Sequence, residues 1–147
     1  MQRIFTTGFV LLLAFLLLSG CQSLEQKKQN ILLTQTLRTY ESTIRWGDLR
    51  KAYSFLKPEL AATTEVPSGL ENIRVTGYEV ISPPVSLSED NATQVAYIKY
   101  VRKDQQMEKT ITDQQLWEFN PEEKRWYLIS NVPDFGQPKM RILPLDK

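Results

Sequence analysis

Cys21 is the only cysteine in the chain and histidine is absent, so neither an internal disulfide nor a zinc site can hold the fold together. At 147 residues there is room for one domain, and its stability must come from one hydrophobic core. The same absences narrow the chemistry. Without histidine the chain lacks the side chain that most often moves protons near neutral pH, and it has no Cys–His pair for nucleophilic catalysis. Neither a cofactor nor a metal is expected. Lysine and arginine number 18 against 17 aspartates and glutamates, a formal balance of +1. That balance gives no overall pull toward a polyanion, so nucleic acid is not expected as a partner.

The surroundings of the lone thiol suggest what it is for. Arg3 is the only basic residue of a short start, and Val10 to Leu18 is an apolar run without charge, the n-region and h-region of a secretory signal. Ile4 to Gly20 also approaches the roughly 20 residues that cross a hydrocarbon core, so an uncleaved anchor helix is the alternative. Leu18-Ser19-Gly20-Cys21 at its end resembles the lipobox of bacterial lipoproteins. That resemblance implies cleavage between Gly20 and Cys21, removal of residues 1–20 as a signal peptide, and acylation of Cys21. The partner is then the lipid bilayer, held through two or three acyl chains. One chain binds marginally and two bind stably, each buried methylene adding about 0.8 kcal/mol. Gln22 stands where the same family usually carries aspartate for inner-membrane retention, which implies the outer membrane, facing the periplasm. A Gram-positive surface is the alternative.

Residues 21–30 are polar and free of aromatic side chains, and read as a lipid-anchored tether that could extend roughly 30 Å at about 3.3 Å per residue. Lys27 and Lys28 are expected to be solvated, with contact to anionic head groups as the alternative. Leu33, Leu37, Tyr40 and Ile44 then recur at helical spacing. Gly47 supplies a stop and Asp48 an N-cap for a second helix, in which Leu49, Ala52, Tyr53 and Leu56 line one side until Lys57-Pro58 ends it. A bent helical pair is expected.

From Asn72 the period changes. Ile73 and Val75 alternate, Tyr78 and Val80 alternate in the opposite phase, and Gly77 marks the switch, which predicts a bulged strand closed by Pro83-Pro84. Val95 to Val101, Lys109 to Phe119 and Trp126 to Ser130 predict three further strands, joined by the polar turn 102–106 and the turn Asn120-Pro121-Glu122-Glu123. The order is α+β, with N-terminal helices followed by an antiparallel meander.

This order, with "WGDLRKAYSFLKPE" at Trp46 to Glu59 and "QLWEFNPEEKRWYL" at Gln115 to Leu128, resembles the NTF2-like cone fold over residues 31–130. A cystatin-like helix on a sheet is the close alternative. The resemblance implies a curved sheet wrapped round a helix, with a cavity at its wide end. The family contains isomerases, dehydratases and hydrolases as well as domains without chemistry, so the fold by itself assigns no activity. Its enzymes place carboxylates, tyrosines and often histidines in the cone. The candidates here are Asp113 with Tyr40, Tyr53, Tyr97 or Tyr100, and Trp117 as an aromatic wall. In a two-residue alternation Asp113 shares its side with Ile111, Gln115 and Trp117, which would point it inward and raise its pKa. The plainer expectation, which we take as the starting point, is an exposed acid on an edge or one paired with Lys109 or Lys103.

Trp46, Trp117 and Trp126 are expected to be core or half-buried packing rather than ligand contacts. Arg50-Lys51, Arg102-Lys103 and Lys124-Arg125 are expected to be solvated. In residues 131–147 three prolines and a glycine preclude a regular helix, yet Phe135, Met140, Ile142, Leu143 and Leu145 are too apolar for a plain tail. The segment is expected to fold back over the sheet or the cone mouth, the alternative being that "KMRILPL" at Lys139 to Leu145 docks on a partner. The functional expectation is a non-enzymatic envelope lipoprotein serving as an interaction or assembly module for an envelope protein. The alternative is a binder of small molecules, or a cofactor-free lyase- or isomerase-like enzyme, using an aromatic-lined cavity.

Overall fold

The computed structural model describes residues 2–105 and 107–136, with side chains from Leu24 onward. Helix α1 runs Gln2–Trp46 and buries Leu33, Leu37, Tyr40 and Ile44, the stripe that the sequence spacing marks. Cys21 and Gly20 fall within its backbone span, but their side chains lie outside the described residues. Among the described residues no helix is long and apolar enough to cross a membrane.

Two helical expectations need correction. The segment 24–30 is not an extended tether but part of α1. Its Glu, Gln and Lys side chains favour helix over coil, and it is fastened to the sheet. The Trp126 indole Nε1 donates to the Gln29 carbonyl at 3.1 Å, and the Gln29 amide donates to Asp90 Oδ1 at 3.2 Å. After Asp48, whose carboxylate accepts from the Arg50 backbone N–H at 3.0 Å, the chain forms a 3-10 helix, Leu49–Phe55, instead of a second α-helix. Leu49, Ala52 and Phe55 follow one another at intervals of three, the period of a helix with three residues per turn. The helix ends ahead of Lys57-Pro58, as expected, with Lys57 in extended backbone. Pro58 then opens a short helix, α2 (Pro58–Ala61), at the position where proline's missing N–H costs nothing.

Beyond Gly69, held at φ 83, come a single 3-10 turn, Leu70–Asn72, and four strands. They are β1 (Ile73–Ser86), β2 (Asn91–Arg102), β3 (Glu108–Asn120) and β4 (Arg125–Leu128). The sheet order is β1-β2-β3-β4, every neighbour antiparallel. The bulge expected at Gly77 is present, as a register shift between Val75 and Gly77. The expected stop at Pro83-Pro84 is not. The strand continues to Ser86 through shifts at Val80/Ser82 and Ser82/Val85, which an edge strand tolerates because its outer N–H groups need no partner. At the last turn Asn120 Oδ1 accepts from the Glu122 and Glu123 backbone N–H groups at 2.9 and 3.1 Å, and Lys124 closes the turn at φ 51.

One face of the sheet is buried against α1 and the 3-10 helix. It carries Ala92, Ile98 and Tyr100 from β2 and Trp117 and Phe119 from β3. Tyr40, Phe55 and Trp117 meet edge to face, with ring centroids 5.3 to 6.3 Å apart, and fill the space between helix and sheet. The start of the C-terminal segment does fold back: Val132 and Phe135 are buried, and Phe135 stands edge-on to Tyr100 at 5.3 Å. Residues 137–147, with Met140, Ile142, Leu143 and Leu145, lie outside the described residues.

Candidate functional site

Polar residues on the inner face of a sheet need a reason, and three stand there together. On β3 the alternation Asp113, Gln115, Trp117 points inward. On β2 Gln94 lies between the small residues Ala92 and Ala96, which leave room for long polar side chains. Asp113 is 3%, Gln115 0% and Gln94 4% exposed. The exposed-acid expectation for Asp113 is therefore wrong. It sits opposite Ala96 in the middle of the sheet, away from Lys109 and Lys103 near the β2–β3 turn.

Gln115 organises the cluster. The Trp117 indole is a donor only, so its 3.2 Å bond fixes the Gln115 carbonyl toward it, and the Gln94 amide adds a second donor at 3.3 Å. The Gln115 amide then faces the other way. It donates to Asp113 Oδ2 at 2.7 Å and to the Tyr78 hydroxyl at 2.7 Å. Both lone pairs and both protons of this side chain are used. Tyr40 stands beside Asp113, but its fully buried hydroxyl closes no well-formed hydrogen bond.

Burial pushes the Asp113 carboxyl up to about 6, against the opposing pull of its hydrogen bond with Gln115 and of the nearby Tyr40 hydroxyl. The Tyr40 phenol is raised well above its ordinary value, first by burial and then by the charge of Asp113. Burial likewise raises Tyr78. The cluster thus holds one proton that exchanges near neutral pH. It has no cation within it, and its carboxylate is nearly sealed from solvent.

The structure brings together Tyr40, Asp113 and Trp117 of the expected pocket, with Tyr53 half-buried nearby. It does not bring Tyr97, which is 40% exposed on the opposite face, in phase with Lys99. Tyr100 is buried, but against Phe135. Gln94, Gln115 and Tyr78 were not singled out as site residues from the sequence. The signal available for the two glutamines was their inward phase in otherwise apolar alternations.

Two surface grooves of the described residues lie elsewhere. One of about 260 Å³ is crossed by the Lys57–Glu118 ion pair at 2.8 Å. Another, of about 600 Å³, lies between the end of α1 and the start of β1 and is lined by Arg45, Trp46, Arg74 and Lys103 among others. Neither is lined by Asp113. Trp117 and Trp126 are buried as expected, whereas Trp46 is 76% exposed, with the Arg45 guanidinium 4.8 Å above its ring. Among the described residues no three His, Cys, Asp or Glu side chains are grouped to hold a metal. No family model, no curated protein and no solved structure matches the chain.

Proposed function

We propose that the chain is a lipoprotein of the cell envelope, anchored through acylated Cys21 in the outer membrane and facing the periplasm, whose α+β domain is a non-enzymatic interaction or assembly module. The lipobox carries the anchor. The observation that carries the module is the interior: Tyr40, Phe55 and Trp117 pack on one another and Phe135 covers Tyr100, so the protein's own side chains occupy the space between helix and sheet. The domain is read as an NTF2-like cone, supported by a helix packed on one face of an antiparallel sheet with a bulged first strand. The cystatin-like alternative draws support from there being one long helix on the sheet instead of a pair.

The second reading, a small-molecule binder or cofactor-free enzyme, is favoured by the buried Tyr40 hydroxyl, which stands beside Asp113 without a well-formed hydrogen bond. A substrate reaching both would find an acceptor and a hydroxyl side by side.

Native mass spectrometry of the full-length protein, extracted gently from its own membrane and compared with Cys21→Ser, separates these readings. A diacyl- or triacylglyceryl mass lost in the variant is expected, together with a stoichiometric second protein. An uncleaved, unmodified chain would sink the anchor. A retained mass of a few hundred daltons in place of a protein would move the function to the interior cluster.

A further inference from the structure

The groove between α1 and β1 combines features found separately elsewhere on the chain. It touches four consecutive strand residues, Ile73 to Thr76. Consecutive side chains point to opposite faces of a sheet, so a groove meeting all four runs along the strand's edge. That edge is open. β1 is the terminal strand, and its only ladder among the described residues is with β2. The opposite wall is the last turn of α1 and the start of the 3-10 helix, with Ile44 and Leu49 as apolar floor and exposed Trp46 as rim.

Charge selects the occupant. Arg45, Arg74 and Lys103 line the groove and no carboxylate does. Arg74 has no ion-pair partner among the described residues. The Lys103 ammonium donates to the Glu71 carbonyl, at 2.9 Å, and meets no carboxylate among the described residues, and Arg45 meets Glu41 at 3.8 Å, the longest ion pair among them. An adjoining groove of about 570 Å³ shares Arg74 and Lys103 and adds Arg102, whose guanidinium is already paired with Asp104 at 3.2 Å, so Arg74 and Lys103 carry the positive charge common to both grooves. In a chain whose formal balance is +1, this is a local concentration of positive charge. The chain's own segment 137–147 carries Lys139, Arg141 and Lys147 against Asp146, so it is matched to this rim in sign and repelled by it.

Resting on the interaction-module reading, we propose that this groove docks an extended, carboxylate-bearing segment of a partner protein as an added strand on the edge of β1. Main-chain bonds to Ile73–Thr76 give the segment its direction, the apolar floor takes its alternate side chains, and the three cations take its carboxylates. Trp46 follows Leu24 by about 33 Å of helix at 1.5 Å per residue. The groove is therefore at the end of α1 away from Cys21.

The test uses full-length acylated protein in lipid nanodiscs and two fluorescent octapeptides, one alternating glutamate with valine and one alternating lysine with valine. Anisotropy is expected to rise with the acidic peptide alone, to weaken with salt, and to fall at least tenfold in affinity in Arg74→Glu/Lys103→Glu, whose positions are exposed and outside the core. Hydrogen exchange at the amides of residues 73–76 is expected to slow on binding. Equal binding of both peptides, no binding of either, or binding indifferent to the charge reversal would overturn the proposal. So would acidic-peptide binding that leaves residues 73–76 unprotected, or that occurs only after residues 137–147 are removed, which would give the groove to the chain's own tail. The acyl mass on Cys21 is read from the same preparation. Acylated protein that binds no peptide loses the groove and keeps the anchor, and unacylated protein that binds loses the anchor alone.

Discussion

The Gln115 side chain gives one amide hydrogen to Asp113 Oδ2 at 2.7 Å while its carbonyl takes the Trp117 indole hydrogen at 3.2 Å. Because the indole only donates and a carboxylate only accepts, neither bond could be made with the amide turned round. The buried acid therefore has a fixed donor. That donor offsets part of the cost of charge in the core, and the remaining cost appears as the raised pKa of Asp113.

This cost is measurable as a pH dependence. The folded-state pKa of Asp113 is about 6 against 3.8 for the free side chain, so between these values the native state holds the proton that the unfolded state has released. Stability falls as pH rises through that window, and above it the native state is penalised by about 3 kcal/mol. Below about pH 3 both states are protonated and the penalty vanishes. Asp113→Asn keeps an acceptor for Gln115 and places an amide beside the Tyr40 hydroxyl. The variant is expected to be about 2 to 3 kcal/mol more stable than the parent at pH 7.5, near equal at pH 4, and to flatten the Asp113 part of the profile. Urea unfolding at a series of pH values reads this directly. An unchanged slope between pH 4 and 6 would mean that Asp113 is not the titrating group.

The Trp126–Gln29 bond makes a prediction about the segment beside the anchor. If residues 24–32 are helix fastened to β4, their amides exchange slowly. Trp126→Phe removes the indole donor while keeping an aromatic ring against Phe119, which lies 5.3 Å away. Exchange at residues 26–33 is expected to accelerate at least tenfold, with a global loss of about 1 to 2 kcal/mol from the bond and the lost ring volume. Asp90→Ala, which removes only the Gln29 side-chain partner, is expected to do less. Fast exchange already present in the parent protein would restore the tether.

Much of this arrangement was legible from periodicity. Leu33, Leu37, Tyr40 and Ile44 needed only their spacing, and the phase reversal at Gly77 located a real bulge. Asp113 was legible in geometry but misjudged in weight: its phase with Gln115 and Trp117 pointed inward, yet buried carboxylates are rare enough that an exposed one was the simpler expectation. Tyr97 shows where alternation fails. In "VAYIKYV" both phases are apolar or aromatic, so only Lys99 marked the outward side, and a single lysine was a weak signal against a tyrosine. The helical state of residues 24–30 was missed because polarity was read as solvation, although a run of Glu, Gln and Lys is also what a helix surface requires. The exposure of Trp46 depends on where α1 stops relative to β1, a tertiary relationship that no local pattern contains.

Phe135 decides whether the domain ends at Ser130, where the strand pattern stops, or continues into the proline-containing segment. It is 2% exposed and edge-on to Tyr100, with Val132 buried beside it in the same core. Removing a buried aromatic side chain leaves a cavity whose lining cannot fully collapse. Phe135→Ala is therefore expected to lose about 3 to 5 kcal/mol in urea unfolding followed by tryptophan fluorescence, while the exposed Asn131→Ala stays within about 0.5 kcal/mol. A chain ending at Ser130 loses Val132 and Phe135 together. Its amides around Tyr100 and Tyr53 should exchange faster, since both tyrosines lie near this segment and have Asp134 as a charged neighbour. If the shortened chain matched the parent in stability, the C-terminal segment would be an appendage and the core would close without it. The expected loss instead makes Val132 to Phe135 part of the folding unit.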